Sequence, residues 1–440
     1  MTTKPPSTSP SAPTPPAAPW AGAGAAPVPL WGDDFNTDPY AMYARLRRFG
    51  AVAPVEIHPG VKAWLVIDYQ AALEVLRDTA TYSHNPLSWS DPVPSDHPIA
   101  PVIQPRPCAV ATDGAEHRRY RQVITDGFNM IPSHELRDRV TRLADDLIRD
   151  FAEAGEVDLV AQYARQLPLV VFNDLFGLPA SYATGLSRTM ARLMEGGDEA
   201  ADANEELEAY LAELIAMKTE HRGADLTSWY LDHPNGMTEE EMAHQLLLTL
   251  VAGNEPTTNL ISNALSRMLS DPSYYSTLTN GARTAREAVE DVLREEPPMS
   301  NYAYHFPRRD VLLHGNWIRT GELILISYAA ANTTPDGLPP GPRTDGGSHL
   351  AWSAGPHQCP VKHSALLMAV TAIERLTSWL SDLELTVPRE KLQWRPGVIH
   401  RALAELPARF TPITPGQAGA TPWNRQSPQE ASVAYTESSP

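Results

Sequence analysis

The stretch that decides the fold is residues 349–360, HLAWSAGPHQCP, in which a lone cysteine, Cys359, directly precedes a helical pattern. A cysteine beside a helix N-terminus lies in the positive potential of unpaired N–H groups, which lowers the pKa of the thiol and favours the thiolate. Gly355 and Pro356 suit a tight turn that brings backbone amides towards the sulfur. A cysteine alone is more often a buried structural residue, but the loop around this one favours a functional thiolate.

The composition is that of a globular protein. The 440 residues are 42% hydrophobic and 20% charged, with a formal net charge of -18 at pH 7. This charge argues against nucleic acid as a partner, although a local basic patch for an acidic protein stays open. No window reaches the roughly 18 apolar residues of a membrane span. The two cysteines, Cys108 and Cys359, form no disulfide framework and fit a reducing compartment, so we expect a soluble cytoplasmic protein.

Both ends of the chain are rich in Pro, Ala, Ser and Thr. Residues 1–30 lack the apolar run behind a basic start that a secretory signal needs. We therefore expect a disordered tail over 1–30 and a second one over 414–440. No repeat or linker divides the part between them. The sequence predicts a single domain over 31–413.

Helical periodicity dominates this domain. The predicted helices cover residues 40–49, 134–151, 201–221, 238–269, 284–295 and 363–380, and short strands are predicted at 311–313 and 323–327. Thr238 forms a capping box with Glu241 at the start of the longest helix. That helix is about 32 residues, or nearly 50 Å, long at 1.5 Å per residue. We expect it to cross the middle of a mainly α fold with a small β region.

The middle of the longest helix, residues 252–258, reads AGNEPTT. Proline has no N–H for the carbonyl of Ala252, so the helix is predicted to open or kink at Pro256. Gly253 is expected to line that opening. Glu255 stands in an otherwise apolar stretch, which favours a functional role; the alternative is that Gly253 and Pro256 merely bend a packed helix.

The loop around Cys359 resembles the heme-binding segment of the cytochrome P450 superfamily, Phe-Gly-x-Gly-x-His-x-Cys-x-Gly. The matching positions are Trp352 (for Phe), Gly355, His357 and Cys359, and the departures are Ser353 and Val361, each in place of a glycine. Other family segments recur in the expected order over roughly residues 31–411. The resemblance implies the mostly helical P450 fold, heme b as the cofactor, Cys359 as the iron ligand and His357 as a heme-binding residue.

The longest helix resembles the family's central helix, which passes over the heme with the pattern Ala-Gly-x-Asp/Glu-Thr. Ala252, Gly253 and Glu255 match this pattern, whereas Pro256 replaces the usual threonine, which helps to deliver protons during oxygen activation. The resemblance implies that Glu255 organises water for proton delivery and that water, Thr257 or the substrate supplies the missing hydroxyl. Thr257 is turned about 100° further round the helix, which favours water or the substrate.

Further segments match the family's other heme-binding and structural positions. His117 and Arg121 lie on one helix face and are similar to His-x-x-x-Arg, whose side chains meet a heme propionate. His305 stands where the family often has another propionate-binding arginine. A structural ion-pair network, similar to the family's Glu-x-x-Arg and its later arginine, is implied for Asp291, Arg294 and Arg343.

The resemblance also implies a function. Members of the family activate dioxygen to oxidise small molecules, and the pattern is similar to that of bacterial, actinomycete members that tailor specialised metabolites and receive electrons from a ferredoxin. We expect the pocket to include the Pro-rich loop 82–110, with Trp89 and His97, and residues 190–194. The altered proton relay favours oxidative coupling of an aromatic or peptide-like metabolite, such as an indole-bearing cyclic dipeptide. A hydroxylase or epoxidase and a non-enzymatic heme sensor remain the alternatives.

Overall fold

The computed structural model describes residues 26–95, 97–195, 199–271, 274, 283–333 and 349–413. The predicted tail over 414–440 and residues 1–25 of the other tail lie outside these ranges. Residues 28–30 do not belong to a disordered tail, because Val28–Pro29 pairs with a strand of the main sheet and Leu30 is fully buried. The folded part therefore begins before Trp31, the predicted boundary.

Most of the described residues are helical. The α-helices, in chain order, are α1 Asp33–Thr37, α2 Pro39–Leu46, α3 Tyr69–Arg77, α4 Gly114–Asn129, α5 Ser133–Phe151, α6 Gln166–Leu175, α7 Ser181–Glu195, α8 Ala200–Glu220, α9 Leu226–Leu231, α10 Glu239–Ser270, α11 Ala285–Glu295, α12 Tyr328–Ala331 and α13 Lys362–Trp379. Among the described residues, none of these helices combines the length and the apolar character needed to cross a membrane.

The strands form one larger sheet and two small ones at the side of the helices. They are β1 Val28–Pro29, β2 Val52–His58, β3 Val61–Val66, β4 Tyr82–Ser83, β5 Glu156–Asp158, β6 Asn301–Pro307, β7 Val311–Leu313, β8 Asn316–Ile318, β9 Ile324–Ser327, β10 Glu384–Leu385 and β11 Pro407–Arg409. The larger sheet has the order β1-β2-β3-β9-β6-β4. The structure also contains the β2–β3 hairpin and α6, which the sequence did not predict. The fold is mainly α with a small β region, as predicted.

The long central helix begins as predicted. Thr238 and Glu241 form the capping box at its N-terminus, and α10 has 32 residues. The predicted opening is wrong in one respect, because α10 continues without interruption through Pro256. A proline removes a single backbone hydrogen bond, and α10 is packed against α6, α8, α11 and α13 along its length. Tertiary packing therefore holds the helix together across the proline.

The helices and the larger sheet have separate apolar cores. Leu246, Leu250, Leu260 and Ile261 of this helix are buried in a helical core that also receives α5, α6 and α13. The larger sheet buries its own apolar side chains against α2 and α3. The loop before α13 carries Trp352, Gly355, His357 and Cys359, the sequence-predicted positions of the heme-binding segment.

Candidate functional site

The loop before α13 adopts the tight turn that its glycine predicts. The amide of Cys359 donates to the carbonyl of Trp352 at 2.9 Å, and that of Gln358 donates to the carbonyl of Gly355 at 3.1 Å. Gly355 has φ +70°, and a Cβ atom there would lie 2.1 Å from the Leu76 carbonyl oxygen at the end of α3. Only glycine fits both the conformation and the space. The loop is thus held against α3 with Cys359 on its inner side.

The electrostatic environment of Cys359 differs from the prediction. Burial raises the pKa of the thiol, whereas a backbone hydrogen bond from Val361 and the charges of Arg121 and Lys362 lower it to a smaller extent. The predicted net lowering of the thiol pKa is therefore wrong for the free side chain, because desolvation outweighs the nearby amides and cations. A metal ion reverses this balance, since a coordinating thiol loses its proton outright.

Three of the predicted heme-binding residues meet beside this loop. His117 in α4 lies with its ring centroid 3.9 Å from that of His357. Arg121 lies one turn further along α4. Its positive charge acts on both His117 and Cys359. His305 in β6 is buried, and its Nδ1 lies 2.6 Å from the Ala303 carbonyl oxygen. Residues from α4, β6 and the loop are thus brought together, and their contacts with a heme remain predictions.

A fourth histidine, which the sequence analysis missed, joins this group. His84 follows β4 and stacks on His357 with 3.6 Å between ring centroids and 22° between ring planes. Its ring also lies 4.1 Å from that of His305. We call His84, His117, His305 and His357 the histidine cluster. No local sequence signal marks His84, since its partners are distant in the chain.

Burial keeps the imidazoles of the histidine cluster neutral. Burial lowers the pKa of His117 and of His305 to about 4 in each case. The pKa values of His84 and His357 are also lowered, first by burial and then by the charges of neighbouring histidines. An anion placed among these rings would oppose both effects, because it favours their charged forms.

The middle of α10 has an exposed face. Val251 is 43% exposed, although it lies at the centre of a helix that is otherwise largely buried. Ala252 is exposed and Pro256 half-buried, whereas Thr257 is buried. Because Ala252 and Pro256 are four residues apart, they share this open face. Thr257 lies on a buried side, in agreement with the predicted rotation of about 100°.

Gly253 has a packing role that the sequence did not predict. A Cβ atom at this position would lie 2.1 Å from the ring of Phe172 in α6. The glycine therefore lets α6 approach α10 closely, and the space that it creates is filled by Phe172. The expected opening lined by Gly253 is not present, and a role of this residue in binding a cofactor remains a prediction.

Glu255 is paired with protein groups. Its Oε1 accepts a hydrogen bond from the guanidinium of Arg395, a residue that the sequence analysis did not single out. Asn259, one turn further along α10, donates to the same oxygen at 3.2 Å. The Glu255 side chain is only 9% exposed. A buried carboxylate needs such partners, so the structural reason for Glu255 includes this ion pair.

The predicted ion-pair network around Asp291 has different members from those expected. Arg294 lies 3.3 Å from the Asp291 carboxylate, as predicted. Arg283 contacts the same carboxylate, and Arg267 lies 3.8 Å away. Arg343, the expected third partner, lies outside the described residues. Arg283 and Arg267 therefore surround the Asp291 carboxylate in addition to the predicted Arg294.

The segments expected to form the substrate pocket are only partly open. Trp89 is buried, and its ring lies 5.9 Å from that of Phe306 in the core beside the sheet. His97 contacts His58 with 4.5 Å between ring centroids. Met190 is buried in α7. Trp89 packs on Phe306, and substrate contacts of all three residues remain predictions.

Comparison with known proteins identifies the family. The chain is 31% identical to the cytochrome P450 monooxygenase PikC of Streptomyces venezuelae over 396 residues, which cover 86% of this chain and 92% of PikC. The chain belongs to the cytochrome P450 family. No protein-family model matches it. This P450 is also 29% identical, over 83% of its length and 94% of the relative, to the mycinamicin IV hydroxylase/epoxidase of Micromonospora griseorubida.

Solved P450 structures share its fold. The structure of CYP154A1 from Streptomyces coelicolor superimposes with a TM-score of 0.74 at 27% identity, covering 87% of this chain and 100% of the other. The protein is thus a bacterial-type P450 oxidoreductase with heme b as its cofactor, acting on a small molecule with dioxygen and a redox partner. The described residues fit a heme, because a cysteine, an arginine, three buried imidazoles and the half-buried imidazole of His357 converge at the loop before α13.

Proposed function

We propose that Cys359 ligates the heme iron and that this P450 oxidises a small specialised metabolite. The observation that carries the proposal is the placement of Cys359, in a tight turn beside Arg121 and two residues from His357 of the histidine cluster. A thiolate-ligated heme supplies the activation of dioxygen. The protein holds the thiol in a rigid turn, beside Arg121 and the histidine cluster, which suit the carboxylates of the cofactor.

We propose that residues of α10 control proton delivery and the shape of the site. Glu255 holds an ionisable group at the edge of the open face, and Arg395 keeps its carboxylate in place. Pro256 offers no hydroxyl on the open face, and Thr257 is buried away from it. Water or a polar group of the substrate would therefore complete the proton path. Pro256→Thr returns a backbone N–H and a hydroxyl, and we expect lower turnover of the native substrate with unchanged heme content.

Insertion of oxygen into a natural product is the reaction that the relatives support. The mycinamicin IV enzyme is named a hydroxylase/epoxidase, and PikC a monooxygenase. Oxidative carbon–carbon or carbon–nitrogen coupling of an aromatic, peptide-like substrate is the second candidate. Pro256 favours it, because a substrate with its own N–H or O–H group can replace the missing hydroxyl in the proton path.

Product masses separate the two reactions. The purified protein would be incubated with dioxygen, NADPH, a ferredoxin and its reductase, and candidate metabolites chosen by spectral shift of the heme. Hydroxylation consumes two electrons and two protons and adds one oxygen atom to the product, with one water released. Coupling removes one hydrogen from each joined carbon or nitrogen and releases two waters. Ligand binding without any product would favour the sensor alternative.

A ferredoxin is the proposed electron donor. Despite the net charge of -18, basic side chains surround the Cys359 loop. Arg77 adjoins Gly355, Arg118 follows His117, and Lys362 begins α13; all three are exposed. An acidic iron–sulfur protein is attracted to such a patch. Lys362→Glu should slow reduction by ferredoxin at low salt, and added salt should reduce the difference from the parent. Two unpaired cysteines agree with the reducing cytoplasm as the compartment.

A further inference from the structure

The histidine cluster joins four separate segments of the chain. His84 follows β4, His117 lies in α4, His305 in β6 and His357 in the Cys359 loop. The four side chains are brought within stacking distance, with ring centroids 3.6 to 4.1 Å apart along the series His117, His357, His84 and His305. Neutral imidazoles gain little free energy from contacts with one another. The arrangement therefore favours a ligand that these side chains share.

Like His58, His84 has a buried ring nitrogen without a hydrogen-bond partner among the described residues. Its side chain is only 4% exposed, and the unpartnered atom is Nδ1. Buried polar nitrogens are nearly always hydrogen bonded. The unpartnered atom lies in the one cluster where the family implies a ligand with two carboxylates, and a carboxylate accepts hydrogen bonds from imidazole N–H groups.

The backbone fixes His84 in this position. The amide of His84 donates to Asp113 Oδ1 at 3.0 Å, and the hydroxyl of the preceding Ser83 donates to the other carboxylate oxygen. Arg308 also contacts Asp113, at 2.7 Å. Asp113 stands immediately before α4, which carries His117. The segment around His84 is therefore tied to the same helix start as a predicted heme-binding residue.

His305 is aimed at the same space by a distortion of β6. The register of β6 against β9 shifts between Tyr302 and His305, and Ala303 has φ +50°, which is unusual for a residue other than glycine. The Ala303 carbonyl can only accept, so Nδ1 of His305 donates to it at 2.6 Å. The bond of Nδ1 leaves Nε2 as the ring nitrogen that can bind a ligand. A bulge beside a functional site commonly redirects one side chain in this way.

We propose that His84 is a further heme-positioning residue of this chain, which binds a heme carboxylate through its Nδ1 together with His305. The proposal rests on the proposed heme ligation by Cys359. It adds a residue to those that the resemblance implies, namely His117, Arg121, His305 and His357. In this arrangement a carboxylate enters the histidine cluster and the imidazoles that it contacts become donors.

Heme release from the purified holoprotein tests the proposal. The rate of heme transfer to excess apomyoglobin would be followed by the Soret band for the parent, His84→Phe and His84→Asn. Phenylalanine keeps a stacking ring without a donor, and asparagine keeps an N–H near the Nδ1 position. We expect heme release about tenfold faster for His84→Phe, from the loss of one charged hydrogen bond. His84→Asn should stay close to the parent.

Two controls test whether faster heme release comes from the loss of a hydrogen bond between His84 and a heme carboxylate. His58→Phe removes another histidine with an unpartnered Nδ1, which contacts His97 outside the cluster, and it should leave the rate unchanged. Reconstitution with the dimethyl ester of heme removes both free carboxylates. The difference between the parent and His84→Phe should then disappear. Should His84→Phe yield no folded protein, His84→Leu takes its place in the same series.

The outcomes for His84 and for the proposed function are distinguishable. A parent that lacks the red-shifted carbon monoxide band of thiolate ligation overturns the proposed function. A parent with that band and an unchanged release rate in His84→Phe overturns the His84 proposal alone and assigns the ring to packing. A faster release that persists with the dimethyl ester also overturns it. Faster release with the free acid only, at an unchanged thiolate band, supports it.

Discussion

The two polar centres of this P450, one on α10 and one at the Cys359 loop, are satisfied in different ways. On α10 the buried carboxylate of Glu255 is held by Arg395 and Asn259. At the Cys359 loop the buried imidazoles contact one another, and Nδ1 of His84 has no partner among the described residues. The Glu255 carboxylate is paired with protein groups alone, whereas we propose that the groups at the Cys359 loop hold the heme.

This difference shows how a cofactor site can be distinguished from a structural one. An ion pair with its hydrogen bonds made stabilises the fold only if it stays complete, because breaking it leaves an unpaired buried charge. The histidine cluster, with its lowered pKa values and its unpartnered ring nitrogen, is stabilised only when a ligand binds. Variants on α10 should therefore affect stability first, and variants at the loop should affect heme first.

The largest effect is expected at Cys359. Cys359→Ser removes the thiolate, and we expect complete loss of the strongly red-shifted Soret band of the reduced carbon monoxide complex. Cys108, which is buried upstream of α4, provides the matched control. Cys108→Ser should keep that band, since its side chain lies outside the loop. The assignment would be wrong if Cys108→Ser abolished the band while Cys359→Ser retained it.

The second effect concerns the ion pair on α10. Arg395→Met keeps the apolar length of the side chain but leaves the Glu255 carboxylate buried without its cation. We expect a loss of about 3 kcal/mol in the free energy of unfolding, measured by chemical denaturation at fixed protein and heme concentrations. The double variant Glu255→Gln with Arg395→Met should recover most of this loss.

An equal loss of stability in the single and the double variant would show that the unpaired Glu255 carboxylate is not what destabilises Arg395→Met. The heme content at saturation is the second measurement. If the comparison between the two centres is correct, Arg395→Met keeps its heme when folded, in contrast to Cys359→Ser. Loss of heme without loss of stability would show that Arg395 acts on the cofactor.

The sequence predicts those parts of the site that depend on local chemistry. Thr238 with Glu241, and Gly355 with Cys359, are close neighbours whose geometry follows from capping and turn rules. The contacts of His84 with His357 and of Glu255 with Arg395 join distant segments. A single sequence contains no local signal for such contacts, so neither could be predicted.

Two further predictions failed for tertiary reasons. Pro256 was expected to open α10, but packing on several sides holds the helix together. Gly253 was expected to make room for a ligand, but Phe172 of α6 occupies that room. Local rules state what a proline or a glycine permits, and the neighbouring helices decide what is realised.

A third, smaller effect is expected at Arg294. Arg294→Ala removes one partner of Asp291, but Arg283 and Arg267 stay beside this carboxylate. The charge therefore remains paired, unlike that of Glu255 in Arg395→Met. We expect a loss of about 1.5 kcal/mol in the free energy of unfolding, that of one charged hydrogen bond. A loss as large as that of Arg395→Met would show that Arg283 and Arg267 do not compensate.

The smallest effect, and the only gain, is expected at Ser353 in the Cys359 loop. Ser353 has φ +61°, and it stands where the family has a glycine. Left-handed backbone is strained for a residue with a Cβ atom. Ser353→Gly should therefore raise the free energy of unfolding by about 1 kcal/mol, measured by the same denaturation series.

The neighbouring Ala354 gives the matched control, because it is not among the residues with positive φ. Ala354→Gly should lower the free energy of unfolding by about 0.5 kcal/mol, since glycine there only adds freedom to the unfolded chain. Opposite signs at adjacent positions would identify the Ser353 conformation as the source of the strain. A loss in both variants would mean that the serine side chain contributes more to the loop than its backbone conformation costs.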